Sequence, residues 1–187
     1  MRKTVFIGLL VCLVTLSVPC RAQRGVFLTP EQFHQQAFAG QGENQILWLD
    51  GDQLQQAQRI LGHRFPGIRT RYVAGGTRTA WIFDEIGKTH PITIGVVVEA
   101  SEIVQVKILE YRESRGGEVR YDSFTRQFIG GSLIEKQPEP KLDATIDGIT
   151  GATLSVRAVK KVATLALYFH SLTPVAYSDT LAEGSLP

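Results

Sequence analysis

The sequence contains two consecutive runs rich in β-branched residues, ITIGVVVE at residues 92–99 and IVQVKILEY at residues 103–111. Only three residues separate the runs, and the pair Ala100–Ser101 favours a tight turn between antiparallel strands. Two more extended runs, Thr70–Val73 and Thr79–Asp84, lie on either side of a Gly-Gly pair and predict a hairpin. These four runs therefore predict a mainly antiparallel sheet.

Three helices are predicted around this sheet. Thr29 followed by Pro30 is typical of a helix start. Asp50 begins a second helix, which Gly62 ends. The clearest helix is the last, because residues 154–169 contain no Gly or Pro and place an apolar face at helical spacing. The predicted fold class is α+β, a mainly antiparallel sheet with flanking helices and a long C-terminal helix.

The N-terminus has the pattern of a secretory signal. Arg2 and Lys3 precede the apolar run Val5–Val18, whose 14 residues are too few to span a hydrocarbon core of ~30 Å as a helix. Pro19 and Ala22 suit cleavage, so residues 1–22 are predicted to be a signal peptide; an uncleaved interfacial anchor is the alternative. The rest is predicted to comprise three parts, listed in chain order: a helical extension over 23–68, the main domain over 69–170 and a loosely ordered tail over 171–187.

Composition excludes several function classes. The 187 residues carry 20 Lys and Arg against 18 Asp and Glu, too small an excess for a nucleic-acid-binding surface. Cys12 and Cys20 would leave with the signal, so thiol chemistry is excluded in the exported chain. The four histidines are scattered without the spacing of a metal site, so no metal ligands are assigned.

A phosphate-binding P-loop is also excluded. Gly87-Lys88-Thr89 resembles the end of that motif, but the motif requires a glycine where Ile82 stands inside a strand.

One heptapeptide, residues 147–153, leads directly into the last helix. It is DGITGAT, a stretch of small residues with two hydroxyl groups. Free backbone N–H groups and the helix dipole at a helix N-terminus favour a phosphate. An ordinary helix cap formed by Thr150 or Thr153 is the alternative on composition alone.

The heptapeptide resembles the flavinylation motif of the FMN-binding domain family. This family includes the covalent-flavin subunits of the sodium-translocating NADH:quinone reductase and of the Rnf complex. The resemblance implies that the hydroxyl of Thr153 forms a phosphoester with FMN. The implied remaining motif residues, which would also bind the cofactor, are Asp147, Thr150, Gly151 and Ala152.

A second region supports the resemblance. Tyr111-x-Glu113-Ser114-Arg115-Gly116, followed by a Phe-x-x-Gln-Phe run, is similar to the family's loop beside the isoalloxazine ring, although Arg115 replaces the usual Pro. The cofactor-binding residues that this region implies are Glu113, Ser114, Gly116 and Gln127. The similarity extends over about residues 70–170.

The resemblance implies an electron-transfer flavoprotein with covalently bound FMN. The signal pattern predicts that it is periplasmic or otherwise exported, and soluble after signal cleavage. The implied partners are a flavin transferase that uses FAD and Mg²⁺, and a membrane or periplasmic redox protein; nucleic acid is not a partner. Asp147 would either help the transferase hold its metal or cap the turn. No catalytic residues are assigned, because no acid/base set is recognisable. Two alternatives stay open: a small flavin-dependent reductase of an exported acceptor, and a domain without covalent flavin.

Overall fold

The computed structural model describes residues 24–134 and 139–176. The predicted signal peptide and residues 177–187 of the predicted tail lie outside the described residues. The strands are β1 (Gly25–Val26), β2 (Glu43–Trp48), β3 (Arg69–Gly75), β4 (Arg78–Ile86), β5 (Pro91–Glu99), β6 (Glu102–Tyr111), β7 (Ser132–Ile134) and β8 (Lys141–Asp143). The α-helices are α1 (Pro30–Phe38), α2 (Gly51–Leu61), α3 (Asp122–Thr125) and α4 (Thr153–Ser171), and short 3-10 turns lie at Gly117–Arg120 and Arg126–Phe128.

Six strands form one antiparallel sheet in the order β1-β6-β5-β4-β3-β2, and β7 pairs with β8 in a small separate ribbon. The four predicted strands are the four central strands of this sheet. The predicted α+β class, with its antiparallel sheet and long C-terminal helix, is therefore confirmed.

The N-terminal segment differs from the helical extension expected over residues 23–68. It contains the two predicted helices α1 and α2, but it also supplies both edge strands of the sheet. Gly25 pairs with Tyr111 on β6, and Trp48 pairs with Arg69 on β3. The segment is therefore part of the same sheet rather than only a layer packed on it.

Two apolar clusters cover the two faces of the sheet. On one face α4 packs against β4, β5 and β6, with Trp81 and Phe169 both fully buried and their ring centroids 5.8 Å apart. On the other face α1 packs through Phe33, whose ring also fills the space beside Gly95. Burial of these large rings, with the rest of the two clusters, stabilises the packing of both helices on the sheet.

The capping of the two N-terminal helices agrees with the prediction. The side chains of Thr29 and Asp50 each accept a hydrogen bond from the backbone N–H three residues later. The glutamine at that later position accepts, through its side-chain oxygen, the backbone N–H of the cap residue. Gly62 ends α2 in the left-handed conformation, with φ 73°. Within the described residues, no helix combines the length and the apolar character needed to cross a membrane.

Candidate functional site

The first turn of α4 is open, unlike those of α1 and α2. Its N-cap position is Ala152, which provides no side-chain hydrogen bond to the helix. Helical bonding begins where the Val156 N–H donates to the Ala152 carbonyl at 3.0 Å. The N–H groups of residues 153–155 therefore have no partner among the described residues, and they carry the positive end of a 19-residue helix.

Neither threonine of the heptapeptide closes this helix end. Thr153 is the first residue inside the helix, and Thr150 lies in the turn before it; both are exposed. The interpretation of either residue as an ordinary cap is wrong, because the cap position belongs to an alanine. The Thr153 hydroxyl is therefore available for chemistry beside three free N–H groups.

A cleft of about 620 Å³ opens at this helix end. Its volume lies within the range of small-molecule sites, about 300–1,000 Å³. The residues bordering it are Lys88, Glu113, Ser114, Arg115, Gly151, Ala152, Thr153, Leu154 and Ser155. The cleft thus brings together the heptapeptide, the predicted loop after β6, and the turn between β4 and β5.

The turn between β4 and β5 is fixed by Glu113. One carboxylate oxygen, Oε1, accepts the backbone N–H groups of Lys88, Thr89 and His90 at 2.5, 2.6 and 2.9 Å. The other oxygen, Oε2, accepts the Thr89 hydroxyl at 3.0 Å. A Cβ at Gly87 would stand 3.0 Å from Oε1, so a side chain at this position would have to displace the carboxylate by a few tenths of an ångström. The consecutive N–H groups form an anion-binding concavity that the chain's own carboxylate fills.

These contacts keep Glu113 ionised. The residue is only 3% exposed, and burial alone would raise its pKa. The backbone N–H groups of His90, Thr89 and Lys88 and the Thr89 hydroxyl outweigh burial, and the pKa falls to about 2. Glu113 therefore borders the cleft as predicted, but its oxygens are already occupied in holding the turn.

The loop after β6 is fastened to the start of α4. The fully buried Tyr111 donates its hydroxyl hydrogen to the Arg115 carbonyl, and its oxygen lies 3.0 Å from Ser155 Oγ. Gly116 has φ 82°, and a Cβ there would stand 2.7 Å from the Ala152 Cβ. Gly116 and Ala152 are therefore small because the loop and the helix start touch at this point.

The two glycines of the heptapeptide leave its outer side uncrowded. Gly151 has φ 80°, and a Cβ added to either Gly151 or Gly148 would meet open space out to 4 Å. A bulky group therefore has room to approach the backbone before Thr153.

Four predicted site residues lie outside the cleft lining: Gly116, Gln127, Asp147 and Thr150. Gln127 accepts the backbone N–H of Asp147 through Oε1 at 2.8 Å, so it ties the start of the heptapeptide to the segment after α3. Asp147 is exposed, and its carboxylate has no hydrogen-bond partner among the described residues. Asp147 belongs, with Thr150, to the loop that carries Thr153, whereas Gln127 lies in the 3-10 turn Arg126–Phe128 and holds the start of that loop.

Lys88 borders the cleft, and its sequence pattern did not predict this placement. The tripeptide Gly87-Lys88-Thr89 was excluded as a phosphate-binding loop, and the structure agrees in that its N–H groups hold a carboxylate. The one sequence signal for this turn was Gly-Lys-Thr between two clearly predicted strands, which is typical of a turn with exposed backbone N–H groups. Nothing in the sequence paired it with Glu113.

Thr153 also borders a second groove, of about 480 Å³, between α2, β8 and α4. Its floor is apolar and includes Ile60 and Val156, and its rim includes Arg157 and Lys160. Thr153 therefore stands on the ridge between two openings, each with positive charge beside it.

The fold and the site together define an α+β domain whose longest helix presents an open N-terminus and a free hydroxyl to a small-molecule cleft. Residues 87–168 match the family model described as FMN-binding domain, which confirms the resemblance to that family over this part of the chain. The protein is a flavin-binding protein, and its flavin is FMN. Among curated proteins, none matches the chain.

The described residues fit FMN. A phosphate suits the three unpaired N–H groups at the start of α4, and the uncrowded glycines leave it a route of approach. The cleft beside Thr153 has the volume of a small-molecule site. The match extends from the turn held by Glu113 to α4, so it contains every residue that borders the cleft.

Proposed function

We propose that the protein is an exported electron carrier in which FMN is joined covalently, through a phosphoester, to the hydroxyl of Thr153. The observation that carries this proposal is the unshielded start of α4: an exposed threonine stands where three N–H groups lack partners in the described chain. A phosphate attached at that oxygen would lie against those N–H groups and complete the helix end.

A separate flavin transferase performs the attachment in this proposal. The described residues that border the cleft beside Thr153 include no histidine, and their one carboxylate, Glu113, is already bonded to the turn and so does not take the proton of Thr153. With FAD and Mg²⁺ as co-reactants, the threonine oxygen bonds to the FMN phosphorus, the pyrophosphate bond breaks, and AMP and a proton are released. In this proposal Asp147 contacts the transferase, which its exposure and its unpaired carboxylate among the described residues support.

Electron transfer rather than substrate turnover suits this cleft. Bound FMN supplies the redox chemistry, while the chain supplies attachment and charge. Among the described cleft residues none is a free carboxylate or imidazole that would serve as an acid or base. The signal pattern of residues 1–22 supports export, and a covalent link prevents loss of the cofactor by dilution outside the cell. The redox partner is proposed to be a membrane or periplasmic protein.

Thr153→Val tests the attachment, with Thr150→Val as the matched control in the same loop. Both variants and the wild type are co-expressed with a flavin transferase, and flavin fluorescence is measured in a denaturing gel. We expect fluorescence in the wild type and in Thr150→Val, where loading is only reduced, and none in Thr153→Val. Fluorescence of Thr153→Val equal to that of the wild type would contradict the proposal.

A further inference from the structure

The two cations that border the cleft have no carboxylate partner among the described residues. Lys88 and Arg115 are both exposed, and neither takes part in any ion pair of the described chain. By contrast Arg112, three residues before Arg115, lies within ion-pair distance of both Asp84 and Glu110. The charge at the cleft is therefore positive and uncompensated at its rim.

The backbone beneath Lys88 is held in place. Its N–H donates to Glu113 at 2.5 Å, and the Gly87 N–H closes the turn on the His90 carbonyl at 3.1 Å. Arg115 is held in the same way, because its carbonyl accepts the hydroxyl of the buried Tyr111. Each cation thus projects from a fixed backbone position beside the cleft, and only its side chain is free to adapt.

Glu113 does not cancel this positive charge, although it is the one carboxylate among the described residues that border the cleft. Its negative charge is directed into three N–H groups and a hydroxyl, and it is 3% exposed. The described lining therefore carries two positive charges against one negative charge, and its exposed rim is positive towards whatever occupies the cleft.

From this geometry we infer that Lys88, together with Arg115, stabilises the reduced state of the bound flavin relative to its oxidised state, and so raises the midpoint potential. This inference rests on the proposed function. Two electrons and one proton taken up from a reduced electron-donor protein leave one added negative charge on the ring system. Two nearby cations favour that charge.

The test compares midpoint potentials of the FMN-loaded full chain, followed by flavin absorbance. Lys88→Gln and Arg115→Gln each remove one cation from the rim, and Lys88→Arg retains it. Arg157→Gln is the matched control, because it removes one cation one helical turn from Thr153 but on the rim of the second groove. Loading of every variant is measured on a denaturing gel before the titration.

We expect Lys88→Gln to reduce the ratio of reduced to oxidised flavin at fixed potential about tenfold, a fall of about 30 mV for a two-electron couple. Arg115→Gln should act in the same direction and Lys88→Arg should restore the wild-type value. Raising the ionic strength should shrink the difference, because the cations are exposed.

Three outcomes would overturn the inference alone: an unchanged potential in Lys88→Gln, a fall no larger than that of Arg157→Gln, or reduced loading with an unchanged potential. The last would show that Lys88 holds the phosphate instead. A wild-type chain that carries no covalent flavin on the gel would overturn the proposed function, and the inference with it.

Discussion

Two sets of backbone N–H groups face the same cleft, and the chain treats them in opposite ways. At the turn between β4 and β5, three consecutive N–H groups are filled by the buried carboxylate of Glu113. At the start of α4, three N–H groups are left without a partner in the described chain, although two threonines stand beside them. The filled turn is structural, whereas the proposed function assigns the open helix end to the phosphate of the ligand.

The other helix starts sharpen this contrast. Thr29 and Asp50 close α1 and α2 with complete capping boxes, so the fold caps these two helices and leaves the longer α4 open. An open helix end lowers stability. A ligand that needs those N–H groups is the physical reason that the proposal gives for the omission.

Removing the carboxylate that fills the turn between β4 and β5 should have the largest effect on stability. Glu113→Ala leaves three N–H groups and the Thr89 hydroxyl without their acceptor, and we expect the free energy of unfolding to fall by about 3–5 kcal/mol. Urea unfolding followed by tryptophan fluorescence measures this loss. Glu113→Gln retains one acceptor oxygen and should lose less. A loss below about 1 kcal/mol in Glu113→Ala would mean that the turn does not depend on the carboxylate.

Acid should weaken the fold in two successive steps. Burial lowers the pKa of His170 to about 4 from 6.5, so the unfolded chain takes up the proton first and stability falls as the pH drops through that interval. The folded pKa of Glu113, about 2 against 4.5, gives a second loss below about pH 4.5. Each difference corresponds to about 3 kcal/mol at the acid end of its interval.

The geometry around His170 gives the control for this pH dependence. Trp81 donates to Thr79 Oγ1 at 2.8 Å, which leaves the Thr79 hydroxyl hydrogen to bond His170 Nδ1 at 2.8 Å, while Nε2 is buried without a partner in the described chain. The side chain of His170→Gln cannot take up a proton. Its free energy of unfolding, measured with urea across this pH range, should therefore lack the first fall and retain the second. An acid profile identical to that of the wild type would exclude His170 as its cause.

Adding a side chain where the loop after β6 touches the start of α4 should have an intermediate effect on stability. Gly116→Ala places a Cβ 2.7 Å from the Ala152 Cβ and strains a residue with φ 82°. We expect a loss of about 1–3 kcal/mol in the free energy of unfolding and a lower yield of covalent flavin. Gly130→Ala is a matched control, with φ 77° and open space around it. Equal losses in the two variants would mean that backbone strain alone causes the loss, and that the contact between the loop and α4 contributes nothing.

Helix caps should give the smallest differences. Asp50→Ala removes a complete cap and should cost about 1 kcal/mol in the flavin-free protein. Thr153→Val removes a hydroxyl that caps nothing, so its cost should stay within about 0.5 kcal/mol. Thermal unfolding of the two flavin-free variants compares them. A cost for Thr153→Val as large as that for Asp50→Ala would contradict the open helix end.

Local sequence patterns were sufficient for most of the fold. The central strands, both capping boxes and the long helix follow from residue periodicity and cap chemistry, which act over a few positions. β1 was not predictable, because a two-residue strand carries no periodic signal and is defined by its pairing with β6. Both edge strands depend on such long-range pairing, and for β2 the sequence offered only a short strand-like run, Ile46–Leu49, inside a segment expected to be mainly helical.

The motif and the cleft wall formed by Glu113 and Ser114 were predictable, but the anchoring role of Glu113 and the placement of Lys88 were not. The heptapeptide located Thr153 at a helix start, and the match over residues 87–168 confirmed the family resemblance. The role of Glu113 as an anchor depends on backbone N–H groups more than 20 residues earlier in the chain. The sequence of the loop does not indicate a contact with backbone groups so far away. Neither the anchoring role of Glu113 nor the placement of Lys88 was therefore predictable.

Peptide mass analysis of the wild-type protein, co-expressed with a flavin transferase, tests the central claim most directly. Tryptic cleavage after Lys141 and Arg157 releases a single peptide that contains Thr145, Thr150, Thr153 and Ser155 as its hydroxyl-bearing residues. We expect this peptide to gain the mass of one FMN less one water, and fragmentation to place the added mass on Thr153. An unmodified peptide, or an addition on any of the other three residues, would contradict it.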